Sequence, residues 1–249
     1  MPTFPEDVGS RSRSRAASGR PAVTRDRIVD AAVELSAQSG LENWTLRQLA
    51  AAVDAYPAVV YHHVGDRDAV VVAVLDRVVG ELTLPDKTLP WRAWFDEFLP
   101  TVRTVLRRYP GSARRLALFG PTVEAAVPTM DAGIGRLLAA GFGAEAPFAY
   151  NLLLATACQF VAMEDDRESA MALQLDRSEG YAAYRHRDDL PGMAALGESI
   201  AALVADPDLA AGYYERLYGY AVERCLDGLE HRLAQLSDRE AVLDVRHQG

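Results

Sequence analysis

The chain has 249 residues and a formal net charge of −9, and Lys87 is its only lysine. That length suffices for one or two domains with a sizeable core, and the acidic balance means that nucleic-acid binding must rest on local positive charge. The cysteines, Cys158 and Cys225, lie far apart and fit neither a disulfide framework nor a zinc spacing, which points to a reducing, cytoplasmic setting.

Residues 1–22 are rich in Ser, Arg, Gly and Pro and lack periodicity. A disordered arm is expected there, carrying Arg11, Arg13, Arg15 and Arg20. No apolar core follows these arginines, so the segment does not read as a signal peptide. From Thr24 onward Ile28, Ala31, Ala32 and Leu35 recur at spacings of three and four, which predicts a helix ended by Gly40. "TLRQ", Thr45 to Gln48, has the form of a capping box. It opens a second helix with Leu46, Leu49, Ala50 and Val53 as its buried stripe. Asp54 and Ala55 make a turn, and Pro57 then takes the N1 position of a short third helix stopped by Gly65. Asp66 caps a fourth helix running to about Glu81. Short helices joined by such tight turns form a helix-turn-helix pattern. This unit covers residues 23–84 and ends at "TLPDKTLP".

Residues 85–249 read as a larger helical domain. "WRAWFDEFLPTVRTVLRRY" is amphipathic with Pro100 as an expected kink, and "PGSARRLALFG" is a short helix. "APFAYNLLLATACQFVAMEDD" is nearly apolar throughout and therefore buried or paired. Residues 165–191 are polar and read as a mobile connection before the last helices. No strand-like alternation occurs, so the fold class is all-α. No apolar run is read as approaching the ~18 residues of a membrane span. Adjacent His62 and His63 make a poor metal pair, because neighbouring helical side chains point about 100° apart. "GIGRLLAAGFG" lacks the glycine spacing of a phosphate loop and follows no strand. No enzyme activity, cofactor or metal is expected.

Taken together, "SGLENWTLRQLA" and "VYHHVGDRDAV" within the segment from Thr24 to about Val79 resemble the DNA-binding domain of TetR-family transcriptional repressors. The resemblance implies that Pro57 sets the entry of a recognition helix whose Ala58, Val59, His62 and His63 face the major groove. It implies that Tyr61 contacts a phosphate, that Arg47 reaches a base, and that Thr45 presents a helix N-terminus to the backbone. Arg67 would join the dipole of the fourth helix at another phosphate. Two positions depart from the family's pattern. Asp54 stands where glycine is common, and Tyr56 stands where Ser or Thr caps the recognition helix; Tyr56 is then expected to touch DNA. Few cations remain inside the motif, so the arginine arm is expected to follow an adjacent minor groove.

The resemblance further implies a homodimer on a palindromic double-stranded operator, with a small hydrophobic or aromatic effector held in the C-terminal domain. Phe95, Phe98, Arg103, Asn151, Thr156, Gln159 and His186 are its candidate contacts, each weighed against a plain core, interface or loop role. The expected function is ligand-responsive repression with no membrane partner. A ligand-independent regulator or an activator stays open.

Overall fold

The computed structural model describes residues 22–171 and 178–247, and every regular element among them is a helix. The arginines expected to form the arm lie outside the described residues. The N-terminal unit is built from α1 (Arg25–Ser39), α2 (Leu46–Ala52), α3 (Pro57–His63) and α4 (Arg67–Gly80). Thr24 caps α1 by accepting from the Arg27 N–H, and Gly40 ends it at φ 89°, where a side chain would be strained. The loop after α1 is pinned by a buried relay. The Trp44 indole N–H donates to Ser36 Oγ at 2.8 Å, and the Ser36 hydroxyl donates to Ala32 O at 2.7 Å. Leu41 and Trp44 are thereby sunk into the core beside Ile28, Leu49, Val60 and Val74.

The second unit comprises α5 (Trp91–Arg107), α6 (Ser112–Phe119), α7 (Val127–Ala140), α8 (Ala146–Met171), α9 (Ser178–Ala182), α10 (Pro191–Ala205), α11 (Pro207–Ala211) and α12 (Tyr213–His247). Helix α8 is its axis and packs against α5, α6, α7 and α12. An aromatic stack of Trp94, Phe95 and Phe98 fills the α5 side. Glycine at position 133 permits the close α7–α8 approach, because a Cβ there would lie 2.5 Å from the Tyr150 ring. Helix α5 runs unbroken through Pro100.

Two sequence expectations need correction. The stretch Gly143–Asp166 is long and apolar enough to cross a membrane by length and composition. Its apolarity has another cause here, since Leu153, Ala157 and Val161 are buried among neighbouring helices. The described parts of residues 165–191 are also largely helical rather than a loose connection. Helix α8 continues to Met171, and α9 with a 3₁₀ turn at Ala183–His186 packs on α10. Gly197 makes that packing possible, as a Cβ there would meet the Arg185 nitrogen at 2.5 Å.

Candidate nucleic-acid interface and ligand cavity

Helices α2 and α3 carry the candidate reading face. Thr45 and Gln48 complete a reciprocal capping box: the Gln48 N–H donates to Thr45 Oγ1, and the Thr45 N–H donates to Gln48 Oε1 at 2.8 Å. Asp54 makes the turn at φ 53°, the one left-handed non-glycine residue among the described residues. Pro57 occupies the start of α3, and Tyr56 at the N-cap supplies no side-chain hydrogen bond to it. Val60 is fully buried and Val64 packs partly inward, which anchors one side of α3. The opposite side presents Ala58, Tyr61, His62 and His63 to solvent, with Val59 half-buried. Tyr56 and Tyr61 are 76% and 64% exposed on this side. Arg47 is exposed on α2 and forms no ion pair among the described residues.

Arg67, expected at a phosphate, makes contacts within the domain in this structure. Its Nη2 donates to Leu41 O at 3.1 Å, its Nη1 pairs with Glu42 at 3.1 Å, and its guanidinium stacks 5.0 Å from the Trp44 ring. Leu41 and Trp44 lie in the loop after α1, and the guanidinium fork satisfies their carbonyls, which have no helical partners.

The two units are tied along the length of α4. Near its start, Arg115 of α6 pairs with Asp68 at 3.1 Å and with Glu42 at 3.7 Å. The Leu41 N–H donates to Pro110 O at 2.8 Å. Midway, the Ala125 N–H donates to Asp76. Just past its end, Glu81 accepts from the Tyr109 hydroxyl and pairs with Arg108.

Between these ties lies a cavity of about 240 Å³. Its walls are Val79 of α4, Leu82, Val102 and Leu106 of α5, Leu116 and Ala117 of α6, Gly120, Pro121 and Ala126 between α6 and α7, Thr129 of α7, and Tyr150, Asn151, Leu154, Ala155 and Cys158 of α8. None of these lining residues is charged. Burial pushes the Cys158 thiol up to about 12 and raises the Tyr150 phenol well above its ordinary range. Both are therefore neutral at physiological pH.

Of the residues the sequence nominated for a ligand, Asn151 lines this cavity and six do not. Phe95 and Phe98 are wholly buried in the α5 aromatic stack. Arg103 donates to both Glu164 oxygens, at 2.9 and 3.0 Å. Thr156 meets Cys225 Sγ at 3.6 Å between α8 and α12. Gln159 borders a separate open groove with Arg114 and Leu118, and His186 is exposed beside Arg185. For Thr156 and Gln159 the physical reason is helical phase: polarity marked residues around α8 without regard to the side they face. Asn151, Leu154, Ala155 and Cys158 follow the three-and-four spacing of one helix face. Extending that spacing from Asn151 finds three lining residues that polarity overlooked. Thr129 and Tyr150 were also missed.

A face of the second unit remains uncovered. Phe148 and Leu152 of α8 are 75% and 48% exposed, and Tyr220 of α12 is 64% exposed.

Comparison with known proteins matches residues 28–74 to a family described as bacterial regulatory proteins, tetR family. An HTH-type transcriptional regulator from Saccharopolyspora erythraea is 32% identical over 199 residues, covering 78% of this chain and 76% of its own. Among solved structures, apo ActR from Streptomyces coelicolor superposes with a TM-score of 0.70 at 22% identity, covering 87% of this chain and 99% of its own. ActR in complex with actinorhodin gives 0.71 at 22% identity, covering 86% and 99%.

Proposed function

Because the chain belongs to the tetR family of bacterial regulatory proteins, we propose that it is a homodimeric repressor of a palindromic operator, released by a small hydrophobic or aromatic effector. The observation that carries this is the placement of the cavity. Its walls include α4 of the DNA-reading unit and α6, and α4 is tied to the second unit by Asp68 with Arg115 of α6 and by Asp76 with the Ala125 N–H. A ligand that needs more room displaces Val79, Leu116 or Ala117 and so changes the angle at which α2 and α3 are presented. The binding of actinorhodin by ActR supports the effector class.

On the DNA side, Thr45, Arg47, Tyr56, Pro57, Ala58, Val59, Tyr61, His62 and His63 form the contact face. Arg47 is suited to bidentate contact with guanine, and Ala58 and Val59 to thymine methyls. The Tyr61 hydroxyl and the imidazoles serve phosphates and base edges. The exposed apolar residues of α8 and α12 form the two-fold interface, which sets two half-sites about 34 Å apart or a multiple of it. Arg11, Arg13, Arg15 and Arg20 add charge by following the minor groove beside each half-site.

Thermal shift of the purified protein against a panel of aromatic small molecules identifies binders, and anisotropy titration of the preferred DNA measures operator affinity with and without each one. Binders should weaken operator affinity, and operator should weaken their binding by the same factor. Binders that leave operator affinity unchanged would establish a ligand-independent regulator instead. The same titration over a range of salt tests the arm. Deleting residues 1–20 should flatten the salt slope by about 0.9 for each phosphate that the arm neutralises, and an unchanged slope would remove the arm from the account.

A further inference from the structure

The buried tyrosines of the second unit differ in one respect. The Tyr109 hydroxyl donates to Glu81 at 2.6 Å, and the Tyr218 hydroxyl donates to Leu99 O at 2.6 Å. Tyr150 is only 2% exposed, yet its hydroxyl has no hydrogen-bond partner among the described residues. The hydroxyl oxygen keeps accessible surface, so a molecule in the cavity can reach it. The ring is held in place on both sides: α7 passes directly against it at Gly133, and Phe95 lies 6.4 Å away between centroids. Tyr150 also lines the cavity between α4, α6 and α8.

The cavity itself limits what the missing partner is. No lining residue is charged, so an ionised carboxylate or ammonium would lose its hydration with no counter-charge in return. An apolar cavity of roughly 150 Å³ accepts benzene. The space of about 240 Å³ here fits two fused six-membered rings. A neutral phenol offers one donor, so the complementary group on the ligand is an acceptor.

We propose that the Tyr150 hydroxyl is the polar anchor of the effector site, and that the site takes an uncharged molecule of two fused rings bearing a carbonyl acceptor, a proposal that rests on the regulator function above. Tyr150 is then a specificity-determining residue, separating ketones or lactones from hydrocarbons of the same shape. Asn151, next in sequence and exposed on α8, stands at the outer part of the same lining.

Calorimetry on the full chain with 1-tetralone, tetralin and 1-naphthoate tests this. Wild-type protein should bind the ketone about tenfold more tightly than tetralin, as expected for one net hydrogen bond. It should not bind 1-naphthoate at concentrations that saturate with ketone. Tyr150→Phe should melt no lower than wild type, because the hydroxyl it removes is unpaired, and should keep tetralin binding while losing the tenfold preference. Retention of the preference in Tyr150→Phe, absence of tetralone binding in wild type, or equal binding of the naphthoate would overturn the proposal. Operator affinity measured on the same samples separates the two levels. Intact operator binding without a Tyr150-dependent preference refutes the anchor alone, whereas failure to bind any DNA refutes the regulator.

Discussion

Ser36 illustrates how a single side chain decides local structure. Its hydroxyl is wholly buried, accepts from the Trp44 indole and donates to Ala32 O. Ser36→Ala would leave the Trp44 N–H without a partner in a dry site, at a cost of about 1–3 kcal/mol. Urea denaturation should show this as a lower midpoint with an unchanged slope, despite the better helix propensity of alanine. Arg67 and Asp54 show what sequence alone conveys at this scale. The left-handed turn at Asp54 was legible, because an Asp in a glycine position still has to make the same turn. The contacts of Arg67 within the domain were not, because its partners Leu41 and Glu42 lie some 25 residues earlier in the chain. Charge type predicts a phosphate or a carboxylate equally well, and only the tertiary path of the loop decides between them.

At the scale of elements, α6 joins two roles within three residues. Leu116 and Ala117 face the cavity, and Arg115 reaches Asp68 and Glu42 of the reading unit. Its ion pairs are partly exposed, so Arg115→Ala should change stability by under about 1 kcal/mol. Effector affinity should hold, since Arg115 does not line the cavity, while the ratio of operator affinities with and without effector should move towards one. An unchanged ratio would assign the coupling to the Asp76–Ala125 and Glu81–Tyr109 ties instead. Helices α1 to α4 were legible from caps and periodicity because each boundary carries its own local signal: Thr24, Gly40, the Thr45–Gln48 box, Pro57 and Asp66. Helix α8 was harder. Apolar residues surround it on several sides, so its sequence has little amphipathic phase, and the cavity-facing stripe cannot be told from the faces turned to α12 or to solvent.

For the whole molecule, the division into a small reading unit and a larger helical unit follows from the shift in composition at "TLPDKTLP". The cavity does not follow from any segment, because its walls come from α4 through α8 and depend on how those helices cross. On the proposed function, the acidic chain would read DNA through a face with few cations, and its specificity would rest on Arg47, the α3 side chains and two-fold repetition. Selection of bound sequences from random double-stranded DNA by the full chain tests that claim most directly. The account predicts enrichment of a palindrome with half-sites one helical turn or a multiple apart, abolished when Arg47 and Tyr61 are both replaced by alanine. Enrichment of no two-fold sequence, or of the same palindrome by the double variant, would contradict it.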